Sequence, residues 1–188
     1  MSLRLSGYVE LPASSRAGGF DHAAVHRAGG RVYVAHTAND ALDVLDSAGD
    51  RYLHSIGGLA GVAGALVSDE DNLIFSSNRG ENSVGIFAPD DEASLAKVPV
   101  GVRPNGLAYA PGRGLLLAAN VGDPAILGSF TLSMVDVRRR EMASSIAVPG
   151  RTRWTVFDAQ AEVFYVNIAD PAQIVVIAAN DPTRRGDR

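Results

Sequence analysis

Four segments of the chain repeat one pattern at intervals of about 42 residues. Each segment consists of an apolar strand, a turn rich in Asn, Asp and Gly, and a second apolar strand, and a weaker strand precedes it. The four segments are "RVYVAHTANDALDVLD" from Arg31, "NLIFSSNRGENSVGIFA" from Asn72, "GLLLAANVGDPAILGSFTLSMVDV" from Gly114 and "EVFYVNIADPAQIVVIA" from Glu162. Because the four units share one internal order, an ordinary β-sandwich explains the pattern less well than a repeat architecture does.

The first three units end with a further short strand. These trailing strands are "RYLHSIGG" (51–58), "SLAKVPVG" (94–101) and "EMASSIAVPG" (141–150). Four strands in a unit of roughly 40–45 residues are typical of a β-propeller blade. The sequence therefore predicts an all-β chain with one β-propeller or half-propeller domain of about four antiparallel, four-stranded blades. The approximate units are 20–61, 62–103, 104–151 and 152–180.

The segment "LRLSGYVELP" (3–12) precedes the first unit and alternates apolar and polar residues as a strand does. We expect it to be the outer strand of the last blade, because closing a propeller in this way leaves no exposed sheet edge. Three assemblies satisfy this expectation: a four-bladed ring within one chain, an eight-bladed ring of two chains that exchange the strand, and a fragment of a longer propeller. Residues 181–188 are expected to be a polar tail.

Two stretches, "VPVGVRPNGLAYAPGRGLLLAAN" and "VFYVNIADPAQIVVI", resemble the YVTN-type (YncE-like) β-propeller repeat. The resemblance covers most of residues 20–180. It implies a fold rather than a chemistry, since propellers of this kind have binding, lyase, lactonase and scaffold roles. Members of the family usually carry about seven blades, whereas this chain has about four repeats.

Composition excludes several classes of function. The net charge is -4 and no basic stripe is present, which argues against binding nucleic acid through phosphates. The chain has no cysteine, so it has no disulfide, no thiolate metal site and no cysteine nucleophile. No segment resembles a signal peptide or a membrane span, so a cytoplasmic protein is expected, or a periplasmic or secreted one if a leader was removed.

Turns at one end of a propeller surround the mouth of its central channel, and ligands are expected to bind there. Polar residues of these turns suit a small anionic or carbonyl-bearing ligand, although Asn and Asp in turns often serve turn geometry alone. The predicted ligand-binding residues are Asp21, His22, His36, Asn78, Arg103, Asn105, Asn120, Arg153, Trp154, Asn167 and Asp170. The same turns also contain Asn39, Arg79, Asp123 and Arg151.

The sequence predicts no cofactor, and it assigns no catalytic residue. The four histidines lack the close spacing of a metal-binding motif. Resemblance to calcium-dependent lactonase propellers implies that a calcium site, if one exists, would use Asp21, Asn105, Asn167 and Asp170. The expected function is a non-enzymatic scaffold that binds a small molecule or a protein, with self-association into a two-chain ring. The alternatives are a metal-dependent enzyme of the lactonase or streptogramin-lyase kind and a fragment of a longer propeller.

Overall fold

A computed structural model describes residues 3–180, and its regular structure is fifteen β-strands and two short 3-10 turns. Sheet 1 contains β1 (Phe20–His26), β2 (Arg31–His36), β3 (Ala41–Asp46) and β4 (Arg51–Ile56). Sheet 2 contains β5 (Val62–Ser68), β6 (Leu73–Asn78), β7 (Ser83–Ala88) and β8 (Asp91–Pro99). Sheet 3 contains β9 (Pro104–Ala110), β10 (Leu115–Asn120), β11 (Thr131–Asp136) and β12 (Glu141–Ala147). Sheet 4 contains β13 (Thr152–Asp158), β14 (Val163–Ile168) and β15 (Gln173–Ala178).

Within each sheet, neighbouring strands are antiparallel and follow chain order. The hairpins that join them depend on residues that tolerate positive φ, such as Gly30 (φ 59°), Asn72 (φ 52°) and Gly114 (φ 63°). The all-β prediction is confirmed. The four antiparallel sheets are compatible with a propeller-like fold, which agrees with the predicted architecture in its general features.

Successive sheets stack through apolar faces. We call the side of a sheet that faces the following sheet its forward face, and the opposite side its rear face. The forward face of sheet 1 and the rear face of sheet 2 share a core containing Tyr33, Leu42, Val44, Val62, Ile74 and Phe87. Sheets 2 and 3 share Phe75, Val84, Ile86, Leu107, Leu116 and Val135. Sheets 3 and 4 share Leu117, Leu132, Met134, Phe164, Val166 and Ile177.

The first strands of the four sheets lie innermost and contact one another in chain order. Two glycines permit this close approach. A Cβ on Gly64 would lie 2.6 Å from the backbone oxygen of Asn105, and a Cβ on Gly106 would lie 2.7 Å from that of Arg153. The spacing between these inner strands therefore depends on two positions without side chains.

One backbone hydrogen bond recurs in all four sheets. In each, an amide of the turn between the second and third strands donates to a carbonyl just before the first strand. The four bonds are Ala38 N to Gly19 O (3.3 Å), Arg79 N to Gly61 O (3.2 Å), Val121 N to Arg103 O (2.9 Å) and Ala169 N to Arg151 O (2.8 Å). These turns and connections therefore gather at one end of the structure, which we call the loop end.

Residues 3–12 form no strand in the single chain, so the predicted pairing with the last blade is not present within one chain. Leu3, Leu5 and Tyr8 are 104%, 71% and 82% exposed. The predicted tail, residues 181–188, lies outside the described residues. None of the helical segments in the described part is long and apolar enough to cross a membrane.

The residues just after this segment are fastened to the turn between β2 and β3. Ser15 N donates to Asn39 Oδ1 (2.7 Å), and the Arg16 guanidinium pairs with both carboxylate oxygens of Asp40. The hydrogen bond from Arg16, together with one from Gly61 N, lowers the pKa of Asp40 to about 2. Asp40 thus connects the N-terminal segment, sheet 1 and the entry to sheet 2.

Candidate functional site

Two of the predicted binding residues, His22 and Trp154, meet at the loop end. Their rings stack with centroids 4.6 Å apart and planes inclined by 31°. Both occupy the third position of a first strand, and the same position is Gly64 in sheet 2 and Gly106 in sheet 3. The two middle sheets therefore have no side chain at this position, whereas the first and last sheets contribute the imidazole and the indole.

The stacked rings border a small cavity between the inner strands, which we call the inner pocket. It has a volume of about 250 Å³ and is lined by His22, Ala23, Ala65, Gly106, Leu107, Trp154 and Thr155. Two polar side-chain atoms of the lining residues are His22 Nε2 and Thr155 Oγ1. Both atoms are buried and have no hydrogen-bond partner among the residues that the structure describes. They are therefore available to a polar group in the pocket.

A charged pair lies beside the inner pocket. Arg79 donates to Asp21 across a distance of 3.2 Å, and His22 Nε2 lies 3.5 Å from the other carboxylate oxygen of Asp21. Burial lowers the pKa of His22, while Asp21 raises it and Arg79 lowers it further; the net direction is downward. The neutral imidazole is therefore favoured near neutral pH, as a hydrogen-bonding group rather than a cation.

A larger cavity, the loop cleft, lies between the turns of sheets 3 and 4. Its volume is about 390 Å³, within the range of small-molecule sites. The lining residues are Arg103, Val121, Gly122, Pro124, Phe130, Pro149, Gly150, Arg151 and Asp170. Two of them, Pro124 and Phe130, belong to the segment "DPAILGSF" (123–130), an insertion that lengthens the third repeat between its second and third strands, so part of the cleft is formed where this repeat differs from the others.

Arg103 enters the loop cleft from a left-handed backbone conformation, with φ of 56°. The corresponding residue before sheet 2 is Gly61, with φ of 60°. A non-glycine residue in this conformation costs on the order of 1 kcal/mol or more, and such positions cluster at functional sites. Asn82 Oδ1 holds the Arg103 amide at 2.9 Å, and the Arg103 guanidinium lies 3.6 Å from Asp123.

Three predicted binding residues, His36, Asn78 and Asn120, are each 0% exposed. They occupy the last position of the second strand in sheets 1, 2 and 3. Asn78 Nδ2 donates to Ser83 Oγ (3.0 Å), and Asn120 Nδ2 donates to the hydroxyls of Thr131 and Ser133. The structure therefore places these side chains inside the sheets, where they tie the second strand to the third.

His36 makes the corresponding contact in sheet 1, with a carboxyl group as its partner. Its Nδ1 lies 2.8 Å from Asp43 Oδ2, with both side chains fully buried. Ser55 donates to the other oxygen of Asp43 (2.6 Å), and Ser14 Oγ lies 3.2 Å from His36 Nε2. Phe20 covers the imidazole with ring centroids 4.2 Å apart. Nothing in the sequence pattern distinguishes Asp43, because an Asp in a strand is usually exposed.

The remaining predicted residues are distributed over the loop end and sheet 4. Asn105, on β9, has a buried Oδ1 that lacks a partner within the described residues. Arg153 and Asn167 are exposed on sheet 4, and Asp170 lines the loop cleft. Within residues 3–180, no three His, Cys, Asp or Glu side chains form a group that could hold a metal ion. Asp21 and Asp170, two of the four residues suggested for calcium, therefore belong to no such group.

Several residues that line these cavities were not among the predicted residues, and Thr155 and Phe130 are two of them. Thr155 follows Trp154 but is 9% exposed, because alternate residues of β13 face opposite sides of sheet 4. Phe130 lies at the end of the insertion, where neither strand periodicity nor turn composition marks it as functional. The sequence signal for this region is the insertion itself, which makes the third repeat longer than the other repeats.

The sequence matches no protein-family model and no curated protein. Among solved structures, the fold is similar to hydrazine synthase from Kuenenia stuttgartiensis, with a TM-score of 0.71 and 13% sequence identity. The match covers 81% of this chain and 44% of that chain, so the chain spans less than half the length of its structural neighbour. At this identity the similarity concerns the fold alone.

Proposed function

We propose that the chain is a YVTN-type, propeller-like binding scaffold whose loop cleft takes a small carboxylate-bearing ligand. The observation that carries this proposal is the pair of arginines, Arg103 and Arg151, lining one cavity of about 390 Å³. Guanidinium groups bind carboxylates through paired, charge-assisted hydrogen bonds. The acidic groups near the two arginines are Asp123, which lies 3.6 Å from the Arg103 guanidinium, and Asp170 in the cleft lining.

Asp170 narrows the class of ligand further. It lines the same cleft, so a simple anion would meet one acidic side chain beside the two basic ones. A carboxylate that also carries a hydroxyl or ammonium group would use Asp170 as a hydrogen-bond acceptor. We therefore favour a small hydroxy acid or amino acid over inorganic phosphate or an unsubstituted dicarboxylate.

Isothermal titration calorimetry with malate and succinate tests the proposal, because the two acids differ by one hydroxyl. Malate is expected to bind more tightly than succinate, and Asp170→Asn is expected to reduce that difference. Arg151→Ala removes a charged hydrogen bond worth about 1.5–3 kcal/mol, which corresponds to a loss of affinity of about ten-fold or more.

Arg153→Ala is the matched control. Arg153 is two residues away and exposed, but it does not line the loop cleft. Its removal changes the net charge as Arg151→Ala does, so equal losses from both variants would indicate a general charge effect and contradict the assigned site. Absence of saturable binding by malate, succinate and glycine would contradict the proposed function.

A further inference from the structure

The three interfaces between successive sheets are built in one way, and the same surfaces recur unpaired at the two ends of the stack. Each interface joins the forward face of one sheet to the rear face of the next. Apart from the ring contact between Trp154 and His22, no sheet of residues 3–180 packs on the rear face of sheet 1 or on the forward face of sheet 4. Inside the chain, a forward face always packs on a rear face. The unpaired forward face of sheet 4 and the unpaired rear face of sheet 1 are therefore surfaces of the two kinds that pack together.

Both unpaired faces are apolar. On the forward face of sheet 4, Trp154, Val156 and Ile174 are 56%, 60% and 55% exposed. On the rear face of sheet 1, Val25 is 51% exposed. The residue that corresponds to Val25 in sheet 2 is Val67, which packs into the core between sheets 1 and 2. Apolar sheet faces exposed in this way mark an interaction surface.

Sheet 4 also has an unpaired edge. In sheets 1, 2 and 3 the third strand pairs with a fourth, whereas β15 pairs with β14 alone among the described strands. An open strand edge of this kind readily accepts a strand from another chain.

Residues 3–12 have the features of the strand that this edge lacks. Leu3, Leu5, Val9 and Leu11 alternate with Arg4, Ser6, Tyr8 and Glu10. The connection that follows carries the same loop-end hydrogen bond as the connections after β4, β8 and β12, through Gly19 O. The segment therefore enters sheet 1 at the place where the fourth strand of a preceding sheet leaves, although it pairs with no sheet of its own chain.

We propose that two copies of the chain join end to end: sheet 4 of each packs on sheet 1 of the other and receives residues 3–12 of the other as its fourth strand. A stable interface buries about 1,200 Å² in total, about 600 Å² from each copy. Trp154, Val156 and Ile174 on sheet 4, and Leu3 and Leu5 in the exchanged segment, are each more than half exposed in the single chain, so their burial contributes to this area. This inference is independent of the ligand proposed for the loop cleft.

Sedimentation equilibrium of the whole chain tests the proposal. The expected mass is twice the 19.7 kDa of one chain. Leu5→Asp is expected to weaken the dimer at least ten-fold, because Leu5 belongs to the apolar side of the exchanged strand. Ser6→Asp adds the same charge on the other side and is the matched control. Neither residue pairs with a sheet in the single chain, so both variants fold, which circular dichroism checks.

Disulfide trapping separates exchange between chains from closure within one chain. The chain has no cysteine, so introduced thiols are unique. One variant carries Val9→Cys, and a second carries a cysteine at Ile174, Val175 or Val176 in turn. Oxidation of the mixed variants is expected to give a cross-linked pair for at least one of the three positions. A monomeric mass for the unmodified chain, or a disulfide formed only within a chain that carries both cysteines, would overturn the proposal.

Discussion

His22 and Trp154 stack across the centre of the structure, although they belong to the first and the last sheet. The corresponding positions in the two middle sheets are Gly64 and Gly106, so only the two end sheets fill the space with rings. The contact places the sole tryptophan of the chain against a histidine whose pKa is lowered by burial. Tryptophan fluorescence therefore reports directly on the ionisation of His22.

We predict that the emission of Trp154 titrates with a pKa below 6.5. Arg79→Gln is expected to raise this pKa, because Arg79 disfavours the imidazolium, and Asp21→Asn is expected to lower it further. Arg153→Gln, whose side chain is exposed, is the control with the same loss of charge. A fluorescence midpoint above 6.5, or shifts opposite to these, would contradict the described environment of His22.

The same lowered pKa predicts how stability depends on pH. Because the folded chain disfavours the charged His22, its contribution to stability is full above about pH 6.5 and is lost as the pH falls through the lowered folded pKa. Thermal unfolding of the wild type and of His22→Gln is therefore expected to differ in pH dependence across this window. Parallel curves from pH 7 to 4 would show that His22 is not buried as described.

Asp40 should act at lower pH. Its pKa of about 2 lies below the value of 3.8 for an isolated carboxyl, so its contribution to stability is present above about pH 4 and is lost as the pH falls toward 2. Arg16→Ala is expected to raise this pKa and to reduce stability at pH 7. Arg139→Ala removes an exposed arginine that lies 3.9 Å from Asp136, and it should leave the acid unfolding midpoint unchanged.

Alanine at Gly64 or Gly106 should separate the inner strands. The added Cβ would meet backbone oxygens at 2.6 and 2.7 Å, which cannot move as a side chain end does. Overpacking of this kind costs about 1–3 kcal/mol, and chemical denaturation measures it. Gly112→Ala is the control, because a Cβ there meets no atom within 4 Å. Equal stability of Gly106→Ala and Gly112→Ala would contradict the close approach of β9 and β13.

Removing one partner of the buried His36–Asp43 pair should be costly. Asp43→Ala is expected to reduce the free energy of unfolding by about 3–5 kcal/mol, because the imidazole keeps no acceptor for its Nδ1. The double variant His36→Asn with Asp43→Ser reproduces the Asn120–Ser133 pair of sheet 3. The double variant is expected to recover more than half of the free energy of unfolding that Asp43→Ala loses. If the double variant lost at least as much as Asp43→Ala, the contacts of sheets 1 and 3 would not be interchangeable at this position.

The repeat in the sequence was sufficient to predict the all-β class and the antiparallel hairpins. Strand periodicity is local, and it follows from side chains that alternate between two faces. The segment 3–12 has the same periodicity yet forms no strand in the single chain. The alternation of its residues indicates that the segment could pair with the edge of a sheet. Whether it does so depends on a partner strand that local periodicity does not identify.

The site was less predictable than the fold. The two cavities are lined by four of the predicted residues, which are His22, Trp154, Arg103 and Asp170. Each of them either differs in residue type from its equivalents in the other repeats or lies at a turn. His36, Asn78 and Asn120 looked like loop residues because Asn is common in turns, but each is the last residue of a buried strand. A shift of one position along the chain decides whether such a residue ends a buried strand or begins an exposed turn. Amino-acid composition alone does not resolve that position.

The central claim is that the loop cleft is the ligand site, and backbone amide NMR during titration with malate tests it most directly. The account predicts saturable shifts concentrated at residues 103, 121–122, 150–151 and 170, with small changes on the outer strands. Saturable shifts confined to another surface, or none in the cleft up to millimolar malate, would contradict it.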